Sequence, residues 1–289
     1  MWRYLTLLLF FLFLILVTQS FTQTSASPRS LFFTASDGVR LHYLQAGSGP
    51  TIIFVPGWTM PAEIWEPQIE YFSSRYKVLA LDPRSQGGSD RANDGNYPEK
   101  RAQDIKEFVD QCQSEVVLVG WSMGVTELLN YANQFGTTNI RAFVLVDGFV
   151  QLDPKWRTFH WSLIKQIQED RAAQTAQFVR WMYKKPQPED YLQRVIAASL
   201  RTPTNTAVAL MANLIRQDDW RSMLAKIDKP VFYVVRLDFQ EQTEILRATL
   251  PSARVEVFED AGHALFVDDS ERFNNSLQGF LNTVWAAKP

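Results

Sequence analysis

The segment that most constrains this chain is residues 115–124, of sequence EVVLVGWSMG. Residues 116–119 form a short, β-branched apolar run, which is typical of a strand buried on both faces. Residues 120–124 fit the pattern Gly-x-Ser-x-Gly and lead directly into a helical pattern. A strand, this turn and a helix predict a nucleophile elbow, with Ser122 in a strained backbone conformation and its hydroxyl above the sheet at a helix N-terminus. The alternative is an ordinary glycine-bounded turn with a surface serine.

A serine hydroxyl is a poor nucleophile until a base accepts its proton. The chain has three histidines, His42, His160 and His263. His263 follows the last predicted strand, in a loop that leads into the terminal helix, and we predict that it is the base. His42 lies in an early strand and is expected to be structural. His160 lies beside Trp161 in a helical segment, where packing or pocket lining is expected.

A histidine base also needs a carboxylate that fixes its tautomer and stabilises the imidazolium. Asp238 lies just past the predicted strand Val231–Arg236, and we predict that it is this acid. Asp147, after the strand that follows the elbow, is the alternative. Asp260 and Asp268 lie close in sequence to the predicted base, and loop or surface roles are expected for them.

Acyl transfer passes through an oxyanion that needs two hydrogen-bond donors. The N–H of Met123, the residue after the predicted nucleophile, supplies one of them. We predict that the N–H of Trp58, in the loop after the strand Thr51–Val55, supplies the other. The predicted site is therefore the triad of Ser122, Asp238 and His263 with this oxyanion hole.

Predicted strands and helices alternate along most of the chain, which favours a mostly parallel sheet with helices on both faces. The alternation stops after Asp147 and resumes at Val231. Only helical patterns rich in aromatic residues lie between them, and they predict an inserted helical lid at the carboxyl edge of the sheet. The predicted organisation is an α/β core formed by residues 30–150 and 223–289, with a lid at 151–222.

The N-terminus differs from the rest of the chain. Arg3 precedes an apolar run at residues 5–17, and polar and small residues follow, which is the layout of a secretory signal peptide. As a helix this run rises about 20 Å, short of the ~30 Å hydrocarbon core, whereas the longer segment of residues 4–21 could still span it. Residues 1–29 are therefore predicted to be a signal peptide or an N-terminal membrane anchor. Either way the protein is expected to be exported, to the periplasm or the extracellular space.

The composition limits the possible partners. The chain has 289 residues, 46% of them hydrophobic, and can bury a sizeable single core. Its net charge of −2 does not indicate a nucleic-acid partner. Cys112 is the only cysteine, which excludes an internal disulfide and a cysteine-based metal site. We predict a small-molecule acyl substrate as partner, with no cofactor and no metal.

Taken together, these motifs resemble the α/β-hydrolase superfamily, and within it the arylesterase and non-haem haloperoxidase branch. The resemblance extends from about Leu31 to the C-terminus. It rests on Val55-Pro56-Gly57-Trp58, Asp82-x-Arg84, Gly120-Trp121-Ser122-Met123-Gly124, Asp238 and Gly262-His263. The chain departs from the family pattern at three places: Pro56-Gly57 replaces His-Gly, Ser85-Gln86-Gly87 replaces Gly-His-Gly, and Arg236-Leu237-Asp238 replaces the Gly-x-x-Asp approach to the acid.

The sequence thus predicts a serine hydrolase that cleaves small ester, lactone or related acyl substrates through an acyl-enzyme. A serine at position 122 argues against the dehalogenase and epoxide hydrolase branches, which use aspartate there. The resemblance also implies an alternative, a cofactor-free perhydrolase in which peroxide resolves the same acyl-enzyme. A third hypothesis, of another class, is a ligand receptor that kept the fold without turnover.

Overall fold

A computed structural model describes residues 27–217 and 219–286. The described chain forms an eight-stranded sheet in the order β1-β2-β4-β3-β5-β6-β7-β8. Strand β2 pairs antiparallel with β1 and β4, and the remaining neighbours are parallel. The strands are β1 (Arg29–Thr34), β2 (Arg40–Ala46), β3 (Thr51–Val55), β4 (Lys77–Leu81), β5 (Val116–Trp121), β6 (Ile140–Val146), β7 (Val231–Arg236) and β8 (Arg254–Phe258). The predicted α/β-hydrolase fold is confirmed.

Helices cover both faces of this sheet because its central strands are apolar on both sides. In β5, Val116 and Leu118 join the core on one face, and Val117 and Val119 join the core on the other. Successive side chains of a strand point to opposite faces, so each face needs its own helical layer. One layer contains α2 (Pro98–Val109), α3 (Met123–Phe135) and α9 (Gln240–Thr249); the other contains α1 (Glu66–Phe72) and α11 (Ser270–Ala286).

The segment between β6 and β7 is helical, as its sequence predicts. Its helices are α4 (Pro154–Glu169), α5 (Arg171–Trp181), α6 (Glu189–Leu200), α7 (Thr204–Arg216) and α8 (Arg221–Leu224). We call this segment the helical insertion. Helix α4 packs on α7, and α5 packs on α6. The predicted boundaries of 151–222 and the role of the insertion as a lid stay predictions.

Most of the predicted N-terminal leader, residues 1–26, lies outside the described residues. Strand β1 begins at Arg29, the last residue assigned to that leader, and two residues before the predicted start of the core strand. Within residues 27–217 and 219–286, no helix is both long enough and apolar enough to cross a bilayer.

A buried polar network ties the loop after β4 to the helices beneath it. Arg101 on α2 donates to Glu127 on α3 over 2.9 Å, and both side chains are at most 2% exposed. The same guanidinium donates to the Gln86 side chain over 2.8 Å and to the carbonyl of Arg84 over 2.9 Å. When one partner of a buried ion pair is removed, the other is left as an uncompensated buried charge, which strongly destabilises the fold.

We expect Glu127→Ala to lower the free energy of unfolding by about 3–5 kcal/mol, because it leaves the Arg101 guanidinium buried without its counter-charge. Urea unfolding followed by circular dichroism measures the change. Glu169→Ala is the control, since Glu169 pairs with Lys165 over 3.9 Å at a position where both side chains are more than half exposed. Equal unfolding midpoints for the two variants would contradict the assignment of Arg101 and Glu127 as a stabilising buried pair.

Candidate active site

Ser122 occupies the turn between β5 and α3 in a strained conformation. Its φ of 55° and ψ of −116° lie in a region that non-glycine residues rarely adopt. The turn is tight enough to exclude side chains on either side: a Cβ at Gly120 would lie 2.7 Å from the carbonyl oxygen of Gly124, and a Cβ at Gly124 would lie 2.7 Å from that of Val55. The observed turn therefore has the geometry that the Gly-x-Ser-x-Gly pattern predicts.

His263 lies next to Ser122, as the sequence predicts. It stands in the loop between β8 and the short helix α10 (Leu265–Asp268), and its Nε2 is 2.9 Å from Ser122 Oγ. Its Nδ1 is 2.6 Å from Oδ2 of Asp147. Because a carboxylate can only accept here, Nδ1 carries the proton and Nε2 is left to accept the serine hydroxyl. Three residues far apart in sequence thus form one chain of hydrogen bonds.

The prediction that Asp238 is the acidic partner of His263 is wrong. Asp238 lies in a 3₁₀ turn, Leu237–Phe239, directly after β7, and its side chain is 81% exposed. Its carboxylate is 3.8 Å from Nε of Arg236. Asp147, the alternative, follows β6 with a φ of 45°, and its carboxylate is fully buried. The 3₁₀ turn directs Asp238 to solvent, whereas the left-handed conformation of Asp147 places its carboxylate against the imidazole.

Arg236, whose place in the site no sequence pattern predicts, holds this acid. Its backbone N–H donates to Oδ1 of Asp147 over 2.9 Å, and its Nη1 donates to Oδ2 over 2.6 Å. The guanidinium is buried and lies 4.4 Å from the ring centre of Phe239 and 5.1 Å from that of Trp181. Oδ2 of Asp147 therefore accepts both from this guanidinium, in a charge-assisted pair, and from the imidazole of His263.

The protonation of His263 follows from these surroundings. Burial lowers its pKa from the ordinary value of 6.5, and the charge of Arg236 acts in the same direction. The hydrogen bond and charge of Asp147 oppose this shift without cancelling it. The imidazole is thus neutral at pH 7, which is the state required of a base.

The loop that carries His263 is anchored from two directions. Trp121 donates through its indole N–H to the carbonyl of His263 over 2.9 Å. Asp268 accepts from the backbone N–H of Gly262 and from that of Lys184 in the helical insertion, each over 2.7 Å. Asp268 is buried, so it is not a surface residue. It anchors the loop of His263 to the helical insertion, a role that the sequence does not predict. The sequence offered only its proximity to His263 as a signal.

The two predicted oxyanion donors lie at the same cavity as the nucleophile. The N–H of Met123 is the first of α3, and such N–H groups have no partner inside their own helix. Neither this N–H nor that of Trp58 has a hydrogen-bond acceptor among residues 27–217 and 219–286. Both residues line a cavity together with Ser122 and His263. Their assignment as the oxyanion hole stays a prediction.

The cavity above Ser122 is small and aromatic. It has about 40 Å³ of free space, and the helical insertion supplies much of its wall through Trp156, Phe159, Phe178 and Trp181. We call it the inner cavity. Trp181, Arg236 and His263 also line a second cavity of about 310 Å³, which we call the outer groove.

His160 lines the inner cavity, as one of the two predicted roles required. Its Nδ1 is 2.6 Å from the carbonyl oxygen of Trp156, so Nδ1 carries a proton and donates it. Burial lowers the pKa of His160 to about 4. A neutral imidazole therefore adds a polar group, but no charge, to a wall that is mostly aromatic and aliphatic.

A family model described as "Alpha/beta hydrolase family" matches residues 52–276, which is most of the chain. The chain belongs to this family. The match covers the elbow, the helical insertion and the loop of His263. The prediction that the chain is an enzyme of the α/β-hydrolase type is confirmed.

Relatives of this hydrolase include named esterases and a haloperoxidase. A pimeloyl-[acyl-carrier protein] methyl ester esterase from Aliivibrio salmonicida (strain LFI1238) is 24% identical over 254 residues, covering 83% of this chain and 95% of the relative. The non-heme chloroperoxidase CPO-A1 from Kitasatospora aureofaciens is 26% identical over 277 residues, covering 86% of this chain and 98% of the relative. Among solved structures, the esterase EaEST from Exiguobacterium antarcticum matches with a TM-score of 0.81 at 24% identity, covering 88% of this chain and 100% of the esterase. The resemblance to this branch of the superfamily is confirmed.

One departure of this hydrolase from the family pattern has a structural role. Gln86, which stands where the family has the histidine of Gly-His-Gly, donates to the carbonyls of Gly57 and Met60 over 3.1 and 2.9 Å. Its amide oxygen accepts from Arg101. The Gln86 side chain therefore connects the buried pair of α2 and α3 to the loop that contains Trp58.

Proposed function

We propose that this α/β hydrolase cleaves esters of short acyl chains through a covalent acyl-enzyme on Ser122. The observation that carries the proposal is the continuous chain of hydrogen bonds from Ser122 through His263 to Asp147, with distances of 2.9 and 2.6 Å. A hydroxyl, a neutral imidazole and a buried carboxylate in this order activate serine for acyl transfer. Named esterases among the relatives support the reaction class.

In this mechanism Ser122 Oγ attacks the carbonyl carbon of the ester while His263 Nε2 takes the hydroxyl proton. The N–H groups of Met123 and Trp58 stabilise the oxyanion, each by about 2.7–4 kcal/mol. The imidazolium, stabilised by Asp147, then gives its proton to the departing alkoxide. Water, deprotonated by His263, attacks the acyl-enzyme and releases the carboxylic acid.

The size of the inner cavity determines the substrate class that we propose. Its roughly 40 Å³ is far below the 300–1,000 Å³ of pockets that enclose drug-sized ligands. We therefore place a short acyl group in the inner cavity and the leaving alcohol in the outer groove, which has about 310 Å³. Longer acyl chains would have to displace the aromatic side chains of the insertion.

A panel of p-nitrophenyl esters tests this function. We expect kcat/KM to be highest for the acetate and to fall at least about tenfold for the octanoate, because the packed aromatic wall resists insertion of the longer chain. The full chain is used, with protein carrying Ser122→Ala as the background control. No turnover of any ester, with no labelling by a fluorophosphonate probe, would favour the non-catalytic receptor instead. A preference for the octanoate would overturn the assignment of acyl size.

The pH dependence follows from the lowered pKa of His263. Because the neutral imidazole is the base, kcat/KM should rise with pH through the pKa of free enzyme, and we expect the midpoint of this acid limb below pH 6.5. Initial rates with p-nitrophenyl acetate, measured at closely spaced pH values between about 4.5 and 8, define this acid limb. A midpoint above 6.5 in the unmodified protein would contradict the assignment.

Arg236 offers a matched pair of variants for this profile. Arg236→Gln removes the positive charge that disfavours the imidazolium, so the acid limb should move to higher pH. Arg236→Lys keeps the charge and should leave the limb closer to its original position. If both variants shifted the limb equally, the charge of Arg236 would not be the cause.

A second candidate function is perhydrolysis, which the likeness to the non-heme chloroperoxidase CPO-A1 favours. Hydrogen peroxide would replace water, attack the acyl-Ser122 ester and leave as a peracid, regenerating the serine hydroxyl. The peracid then oxidises bromide and returns to the carboxylic acid. Peroxide-dependent bromination of a dye in acetate buffer tests it, with Ser122→Ala as the control.

We also propose that the protein is exported, on the strength of Arg3 and the apolar run at residues 5–17. Fractionation of cells that express the full chain tests the location. Sequencing of the mature N-terminus then distinguishes a cleaved signal peptide from a retained anchor. Recovery of the uncleaved chain in the cytoplasm would contradict export.

A further inference from the structure

A second chain of serine, histidine and aspartate lies outside the candidate active site. Ser30 Oγ is 2.8 Å from His42 Nε2, and His42 Nδ1 is 2.7 Å from Oδ2 of Asp82. These distances match those of the first chain, and the same ring nitrogens face the hydroxyl and the carboxylate. In the neutral imidazole Nδ1 donates to Asp82, so that Nε2 accepts the hydroxyl of Ser30.

The sheet fixes the position of all three residues. In the antiparallel register of β1 and β2, Phe32 lies opposite His42 and Ser30 lies opposite Leu44. Ser30 is therefore a diagonal neighbour of His42, within reach across the strand pair. Asp82 directly follows β4, whose neighbour is β2, and its N–H donates to the carbonyl of His42 over 2.9 Å.

The carboxylate of Asp82 is fully buried and firmly held. It accepts from the N–H of Ala62 over 2.6 Å and from that of Gly88 over 2.7 Å, in addition to the imidazole of His42. Asp82 therefore orients the imidazole in the way that Asp147 orients His263.

The serine end of this chain is open. Ser30 is exposed, and together with His42 it lines a surface cavity of about 320 Å³. Arg201, whose guanidinium has no ion pair within the described part of the chain, lines the same cavity with Glu63. A His–Asp pair that only fastened two strands would need neither an accessible hydroxyl nor a cation beside it.

We propose that Ser30 is a second nucleophile, which takes one acyl group from an activated ester. Ser30 Oγ bonds to the carbonyl carbon as His42 Nε2 takes the hydroxyl proton, and the bond to the leaving oxygen breaks. The imidazolium returns the proton to the leaving alcohol or phenol. The products are O-acyl-Ser30 and that alcohol, and Arg201 supplies positive charge near the oxyanion.

This site captures an acyl group once and does not turn over. Ser30 lies in an extended strand, whereas Ser122 has a strained backbone and stands at a helix N-terminus. Electrostatic stabilisation of the oxyanion is commonly the largest contribution to acyl transfer, and it is needed a second time for hydrolysis. The ester on Ser30 should therefore accumulate to one acyl group per chain. The proposal does not depend on the function proposed for Ser122.

The test uses the full chain carrying Ser122→Ala, so that no acyl-enzyme can form on Ser122. It is incubated with p-nitrophenyl acetate, and released p-nitrophenolate and intact mass are followed over time. We expect a burst of one equivalent, one acetyl group per chain, and a single modified peptide containing Ser30. Ser30→Ala in the same background should remove the adduct, whereas Ser74→Ala, at another exposed serine, should not.

His42→Gln in this background separates activation from mere accessibility, and we expect the acetylation rate to fall about 100-fold. The rate in the parent should rise with pH above 6.5, because the pKa of His42 is raised. The hydrogen bond of Asp82 is the main cause, Glu63 acts in the same direction, and burial and Arg201 oppose it. Acetylation on other residues only, or at the same rate in the His42→Gln protein, would overturn the proposal.

Discussion

Ser122→Ala is expected to lower kcat for p-nitrophenyl acetate by at least about 10⁴-fold, because it removes the oxygen that forms the acyl-enzyme at this site. The imidazole of His263 would keep its bond to Asp147 and could still deprotonate water. The donors of the oxyanion hole would also remain, so some rate above the uncatalysed reaction should persist. Steady-state kinetics measures the loss, and circular dichroism and thermal unfolding verify that the variant is folded.

A glycine at the same position distinguishes lost chemistry from lost structure. The φ of 55° at Ser122 is strained for alanine but not for glycine. Ser122→Gly should therefore be as inactive as Ser122→Ala, yet equal or greater in thermal stability, since relief of strain offsets the greater entropy of the unfolded chain. If Ser122→Ala kept the original turnover, the acyl-enzyme on this serine would be excluded. If both variants unfolded, the loss of rate would carry no mechanistic meaning, and Ser122→Cys would replace them.

The elbow could be predicted because all of its determinants lie within residues 115–124. The β-branched run makes the strand, the two glycines permit the turn, and the helix begins at once. The role of His263 could also be predicted, because it is the one histidine in a loop that follows a predicted strand. Both residues follow a predicted strand, which places them at the carboxyl edge of the sheet. The alternation of strands and helices predicts the fold.

The acidic partner of His263 could not be predicted in this way. Asp147 and Asp238 both follow parallel strands, β6 and β7, whose carboxyl ends meet at the same edge of the sheet. Which carboxylate reaches His263 depends on a left-handed conformation at one residue and a 3₁₀ turn at the other. Neither is set by a local pattern. Arg236 was missed for a related reason, since its partner lies 89 positions away in the sequence.

The pair Asp147 and Asp238 therefore gives the second large effect. We expect Asp147→Asn to lower kcat by about 10⁴-fold, because a neutral amide neither stabilises the imidazolium nor selects the tautomer that leaves Nε2 free to accept. Asparagine tolerates the positive φ of position 147, so the backbone of the turn should survive. The variant also leaves the buried guanidinium of Arg236 without its counter-charge, so its unfolding midpoint in urea should fall.

Asp238→Asn is the matched control, since it makes the same chemical change on the neighbouring strand. Its side chain is 81% exposed and its carboxylate has only a 3.8 Å approach to Arg236, so kcat should stay within about twofold of the parent. Both variants are assayed with p-nitrophenyl acetate at pH 8, well above the lowered pKa of His263, so that a shifted titration cannot be mistaken for lost catalysis. A large loss in Asp238→Asn with little change in Asp147→Asn would restore Asp238 as the acid, and would require the 3₁₀ turn after β7 to rearrange when substrate binds.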